Sequence, residues 1–185
     1  AWPHDVRVAV NLSPMQFHCG NVLELVEEAL SATGLSPDRL ELEITESLFL
    51  DRTNLVLDAL ADLRGLGVRI AMDDAGTGHS NLAYLQTLGI DIVKIDKIFV
   101  DMIKDANVPV PVIDGLIAMA KDMDIEIIAE GVETQEQALY LRSKNVYFAQ
   151  GYLFSPPLKL SSFLTLANAL KPQVRRSNFE DDLAA

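Results

Sequence analysis

Four carboxylates, one amine and two amides stand at matching places along this chain: Asn11, Glu43, the adjacent Asp73 and Asp74, Lys94, Glu130 and Gln150. Each falls at or near the end of a short apolar or alternating run, so each is carried to the same kind of position. Oxygen donors of this type suit a hard divalent cation, Mg2+ or Mn2+, rather than zinc. Zinc calls for Cys or His at ligand spacing, and Cys19 and the histidines His4, His18 and His79 show none. Adjacent carboxylates can serve two ions about 4 Å apart, the arrangement that activates a water and stabilises the leaving oxygen in phosphodiester hydrolysis. Lys94 could hold that water or balance charge on phosphoryl oxygens. Its plain alternative is a wall lysine paired with Glu130.

The Asp pair lies in Ile70–Asn81, IAMDDAGTGHSN. A short apolar strand delivers the carboxylates to a rim, Gly76 and Gly78 let the chain turn, and Ser80 is placed to cap a following helix. Paired Asp before Gly is also common turn chemistry, so the assignment rests on the convergence of the whole set.

Strand and helix patterns alternate around these residues. Arg7–Leu12 is β-branched, and Val22, Leu25, Val26, Ala29 and Leu30 then recur at helical spacing. Leu40–Thr45 alternates, and Val56, Ala59, Leu60 and Leu63 mark a helix stopped by Gly65 and Gly67. Val68–Asp73 is the third strand, Asn81–Leu88 a short helix and Asp91–Asp96 the fourth strand. Val112, Ile113, Leu116, Ile117 and Ala120 line one face of the longest helix, before a fifth strand at Ile125–Glu130. Thr134 and Gln137 have capping-box spacing, opening a helix that runs to Arg142. Val146–Gln150 is the sixth strand, and a last helix lies near Ser162–Leu170.

Such alternation implies parallel strands joined by right-handed crossovers, in either a doubly wound sheet or a barrel. The strand faces decide between them. One alternate set reads Arg7/Ala9/Asn11, Glu41/Glu43/Thr45, Arg69/Ala71/Asp73, Ile92/Lys94/Asp96, Glu126/Ile128/Glu130 and Val146/Phe148/Gln150, while the other is nearly all aliphatic. A sheet covered by helices on both faces should not carry this much charge, whereas a barrel interior can be polar in its top layer. The expected fold is therefore α/β, a TIM-like (β/α) barrel with about six of its eight strands, incomplete at the N-terminus because there is no room before Arg7 for the missing pair. Residues 1–170 are expected to form the domain, and 171–185, with proline, mixed charge and no apolar periodicity, a mobile tail.

A net charge of −12 argues against nonspecific binding to a nucleic-acid polymer, so a phosphate ligand would need a metal bridge. No apolar run approaches the about 18 residues that cross a bilayer, the first residues lack a signal-peptide layout, and a single cysteine suits a reducing compartment. A cytoplasmic domain without membrane contact is expected, on a parent that could itself be membrane-anchored.

The segments VNLSPMQF, LELEITES, DDAGTGHSNLAYL, VKIDKIFV, IIAEGVET and AQGYLFSPPL, in that order from about Arg7 to Leu158, resemble the EAL-domain phosphodiesterases. These hydrolyse the bacterial second messenger cyclic di-GMP to linear pGpG and so control signalling between motile and sessile states. The resemblance implies ligation of two ions by Asn11, Glu43, Asp73, Asp74 and Glu130, with Lys94 positioning the nucleophilic water. It places Lys94, Asp73 and Glu130 at the catalytic step and Gln150 beside the metal site. It also has Glu46 anchor the loop after Asp74, makes Asp96 and Glu133 supporting residues, and implies homodimers contacting through the helix after Asp74, downstream of sensor or signalling domains. The chain departs from the family in three ways. Ala75 and His79 replace the usual aromatic residues of the loop after the Asp pair, and the Glu-x-Leu segment that gives the family its name, with another metal-ligating glutamate, does not occur upstream of Asn11. The competing expectation is a catalytically silent cyclic di-GMP receptor or dimerisation module.

Overall fold

The computed structural model describes residues 6–18, 21–45, 48, 54–75, 85 and 88–169. These fall into two compact units, of which Arg7–Pro156 carries every strand. In order they form β1 (Val8–Leu12), α1 (Pro14–His18), α2 (Val22–Thr33), β2 (Leu40–Thr45), α3 (Asn54–Gly65), β3 (Arg69–Ala75), β4 (Ile92–Ile95), α4 (Lys97–Val100), α5 (Pro111–Asp122), β5 (Glu126–Ala129), α6 (Gln135–Ser143) and β6 (Phe148–Ala149). A further helix, α7 (Leu160–Ala169), belongs to the other unit.

Local chemistry sets the element ends. Gly34 closes α2 in the left-handed conformation, φ 66°, its N–H donating to the Leu30 carbonyl. Pro111 opens α5, where its missing N–H costs nothing. The expected capping box is present, with Thr134 accepting from the Gln137 N–H and Gln137 reaching back to the Thr134 N–H. Asp96 caps α4 by accepting from the Ile98 N–H at 2.7 Å.

The strands make one six-stranded sheet in the order β1-β2-β3-β4-β5-β6, and every pairing is parallel. In a flat sheet β1 and β5 would stand about 19 Å apart, four strand spacings. Yet Arg7, the residue before β1, reaches Glu126 of β5 at 3.4 Å. The sheet is therefore curled, and Arg7, Glu41, Arg69 and Glu126 meet inside the curl as a ring of ion pairs at 3.2 to 3.4 Å. This is the part-closed barrel that the charged alternate face implied.

The aliphatic alternate face packs outward on the helices. Leu42, Ile44, Ile70, Met72 and Val93 form one cluster with Val26, Val56, Leu60 and Leu63 from α2 and α3. Ile95 and Ala129 form another with Ile113, Ile117, Tyr140 and Leu141 from α5 and α6. Tyr140 ties α5 and α6 together, accepting from the Val110 N–H at 2.7 Å and donating to Asp114 at 2.8 Å. Inside the curl, Ala71 separates the lower charged ring from Asp73 along β3, and Ile92 precedes Lys94 on β4, both essentially inaccessible. Among the described residues no helix is long and apolar enough to cross a membrane.

The sixth strand is shorter than the pattern predicts. Val146 spends its N–H on the Leu141 carbonyl at the end of α6, leaving Phe148–Ala149 to pair with β5. Most of the expected short helix at 81–88, together with Cys19, Glu46, His79 and the 171–185 segment, lies outside the described residues.

Candidate active site

The site residues come from the C-terminal ends of successive strands, the rim where barrels of this kind place chemistry. Asn11 on β1 stands opposite Glu43 on β2 in the strand register, with an exposed side chain. Asp73 and Asp74 lie just before Ala75, the last residue of β3, Lys94 lies on β4, Glu130 directly follows β5, and Gln150 directly follows β6.

The Lys94 ammonium is the centre of the arrangement. Its Nζ lies 2.9 Å from Glu43 Oε1, 3.3 Å from Asp73 Oδ1 and 2.6 Å from Glu130 Oε1. Three carboxylates from three different strand ends thus converge on one amine that is 4% exposed. Burial alone lowers the pKa of this lysine, but hydrogen bonds to Glu130 and Glu43 outweigh it and hold the pKa well above the usual lysine value. Glu130 is driven the other way for an acid. Desolvation raises its pKa, Lys94 only partly offsets that, and the charges of Asp73 and Glu43 raise it further.

An irregularity in β3 aims the Asp pair. The β3–β4 register runs Met72 to Val93 and then Ala75 to Ile95, so Asp73 and Asp74 together face a single step of β4. This is a bulge, a device that bends a strand and re-aims side chains. Asp74 sits at φ 57°, a left-handed conformation that Asp tolerates better than most residues, and its N–H donates to Asp73 Oδ1 at 3.0 Å. Desolvation, the neighbouring Asp73 charge and a hydrogen bond with Asp96 raise the Asp74 pKa. Asp96 thus serves two roles, cap of α4 and partner of Asp74.

Gln150 donates to Glu130 Oε1 at 2.6 Å and so orients the carboxylate that holds Lys94 most closely. Two glycines directly after these residues allow this. Gly131 has φ 64° and Gly151 φ 154°, and a Cβ on Gly151 would lie 2.2 Å from the Val132 carbonyl oxygen. Sequence reasoning passed over both, although a glycine immediately following each site residue was the available signal. Glu133, by contrast, turns to the surface and pairs with Lys97 at 2.8 Å.

The donor set suits a hard cation in kind, with carboxylate oxygens gathered on one point, and that point carries the ammonium. Among the described residues no three Asp, Glu, His or Cys side chains are arranged to hold a metal ion.

Residues 1–157 match the family model described as the EAL domain. The chain belongs to the EAL domain family. A cyclic di-GMP phosphodiesterase of Pseudomonas aeruginosa, NbdA, is 38% identical over 157 residues, 85% of this chain and 20% of its own length. The crystallised EAL domain of Mycobacterium smegmatis DcpA superposes with a TM-score of 0.83 at 34% identity, over 91% of this chain and 75% of that one. Klebsiella pneumoniae BlrP1, solved as a complex with manganese and cyclic di-GMP, superposes with a TM-score of 0.73 at 30% identity, over 82% of this chain and 39% of that one. The chain spans about a fifth of the length of the first curated relatives it matches. Its strand order and curl are those of a TIM-barrel EAL domain.

Proposed function

We propose that this EAL domain binds cyclic di-GMP and hydrolyses one of its phosphodiesters to linear pGpG. The observation that carries the reading is the convergence of Glu43, Asp73 and Glu130 on Lys94 at the strand-end rim of a chain in this family. Water adds to phosphorus, the P–O3′ bond breaks, and the proton lost by the water is balanced by the one gained at O3′. Lys94 directs a buried positive charge to where the attacking water or a phosphoryl oxygen would stand. Glu130, fixed by Gln150, and Asp73 orient that ammonium. Asn11, Glu43, Asp73, Asp74 and Glu130 are the residues that would hold one or two divalent ions, Mg2+ or Mn2+. When bound, such an ion supplies Lewis-acid polarisation and a water of lowered pKa.

A second reading, a receptor that binds cyclic di-GMP without cleaving it, is favoured by one specific feature. The acidic side chains are drawn onto Lys94, and the described residues offer no ready group of three metal ligands. One experiment separates the two. The purified protein is given cyclic di-GMP with Mg2+, with Mn2+ or with chelator, and the products are resolved by chromatography. Metal-dependent pGpG supports the enzyme. Tight binding with no pGpG under any condition overturns it in favour of the receptor. In either case we place the domain within a longer signalling protein whose other domains supply the input.

A further inference from the structure

We propose that Lys97, a surface residue outside the rim set, is a positioning residue: its side chain straps down the connection between β5 and α6 and so keeps the Glu130 carboxylate on the Lys94 ammonium. As a statement about catalysis the inference rests on the hydrolytic reading above. The connection starts at Glu130, whose Oε1 lies 2.6 Å from Lys94 Nζ. Gly131 follows at φ 64°, and a Cβ there would fall 2.5 to 2.7 Å from Cβ, Cγ and Cδ of Lys97. The lysine stem thus fills the space that a side chain at 131 would take, and lies directly over the backbone beside Glu130. Its ammonium reaches Glu133 at 2.8 Å and Asp101 at 3.1 Å.

Lys97 is anchored at its other end. It directly follows Asp96, the cap of α4, and stands three residues after Lys94, so its backbone is tied to the strand that carries the rim amine. A buried contact runs the same way. Gln137, 4% exposed, accepts from the Glu133 and Thr134 N–H groups at 2.7 and 3.0 Å and donates to the Val100 carbonyl at 3.3 Å. The far end of the connection is thereby fixed to α4. The Glu130 N–H donates to Ile95 O at 2.9 Å, which fixes the near end, but the chain then runs into a glycine with no side chain to restrain its rotation. The strap supplies that restraint. Lys97 is 45% exposed, and an exposed ion pair adds little to stability. Placement at a reacting centre is far more sensitive, since a misplacement of about 1 Å can cost on the order of 100-fold in rate. Loss of the strap should therefore be felt in rate and in the order of Lys94 before it is felt in folding.

The test uses the full chain as wild type, Lys97→Ala and Lys97→Arg. Lys144→Ala is the control, because it removes another surface ion pair, with Asp114 at 2.9 Å, at the opposite end of α6. The Lys94 ammonium, assigned through its side-chain carbons, is followed by nitrogen-edited NMR without added metal, and the exchange of its protons with water is timed. Separately, kcat and KM for cyclic di-GMP are measured with Mn2+. In Lys97→Ala, Lys94 protons should exchange at least about fivefold faster. Its kcat should fall by about tenfold with KM within about twofold of wild type, and its melting temperature should stay within about 3 °C. Lys97→Arg, which keeps stem and charge, should restore exchange and kcat, and Lys144→Ala should match wild type in both. Unchanged exchange at Lys94 in Lys97→Ala overturns the inference, as does an unchanged kcat in a protein that hydrolyses the nucleotide. A loss that Lys144→Ala reproduces, or that only follows a fall in melting temperature, overturns it too. Faster exchange in Lys97→Ala beside a wild type that yields no pGpG supports the strap and overturns the hydrolytic reading instead.

Discussion

Gly151→Ala adds a single methyl group and should unseat the loop that carries Gln150. The new Cβ would lie 2.2 Å from the Val132 carbonyl oxygen and 2.3 Å from its nitrogen, which are backbone atoms with no rotamer to change. Relief of that overlap requires a displacement of roughly 1 Å. The segment that must move is held by the Val132 N–H on Gln150 O and the Leu153 N–H on Val132 O, both at 3.0 Å. Overpacking of this kind costs about 1–3 kcal/mol, and stretching one or two backbone hydrogen bonds adds about 0.5–1.5 kcal/mol each. The total is about 1.5–6 kcal/mol, equivalent to a fall in melting temperature of roughly 3–24 °C for a domain of this size. Gly115→Ala is the matched control. Nothing lies within 4 Å of its added Cβ in the middle of α5, so helix propensity alone acts and the change should be neutral or stabilising by up to about 1 kcal/mol. Thermal and urea unfolding monitored by circular dichroism reads both variants. A Gly151→Ala protein that melts within 2 °C or so of wild type would show that the Val132 contact is not rigid, and the positioning argument for Gln150 would fall.

Three further outcomes follow from the rim. Glu43→Gln or Asp73→Asn should lower pGpG production by about 100-fold or more at saturating Mn2+, since each removes a proposed ligand charge, and a loss below threefold would contradict that role. Lys94→Ala should depress kcat far more than it weakens cyclic di-GMP binding; weakened binding with unchanged kcat would assign the lysine to ground-state recognition instead. Asp74 has a pKa raised above 3.8, so the folded state favours its protonated form and its contribution to stability falls as pH rises through that window. Asp74→Asn, which removes the charge and suits a left-handed residue, should therefore raise the melting temperature at pH 7 and in chelator by about 1–4 °C. A lower melting temperature would refute the sign.

The barrel was legible because charge recurred with period two. Arg69 and Asp73, or Glu126 and Glu130, can share a strand face only if that face looks into an interior, and the ring joining Arg7 to Glu126 across the curl is the physical consequence. How these charges pair was not legible, since that depends on register and strand tilt rather than on alternation. Glu41 stands opposite Arg69 only once β2 and β3 are aligned. The bulge at Asp73 and Asp74 was hidden for a related reason. Strict alternation would send adjacent residues to opposite faces, and nothing in the residue types announces that the ladder skips a step there. Glu133 carried the same acidic chemistry as Glu130, but it sits four residues beyond the strand and meets Lys97 at the surface instead. A residue's type said what it could bind, while its distance from the strand end decided whether it reached the rim.

The two charged levels of the barrel interior differ in balance, and this bears on the order in which ligands enter. Below, two guanidiniums meet two carboxylates and the ring is neutral within itself. Above, one ammonium faces three carboxylates, an excess of two negative charges before Asp74 is considered. Burial first, and then the crowding of the like charges of Asp73 and Glu43, raise the pKa of Glu130. Cyclic di-GMP is itself a dianion, and such a rim repels it. A dication would cancel the excess and present positive charge to the phosphate, so the cation should precede the nucleotide. Cyclic di-GMP affinity, measured by calorimetry, should therefore weaken by about tenfold or more when Mn2+ is replaced by chelator, and the loss should shrink in high salt as screening takes over. Equal affinity in chelator and in Mn2+ would mean that the nucleotide is held by contacts away from this acidic level, and the proposed sequence of binding would be wrong.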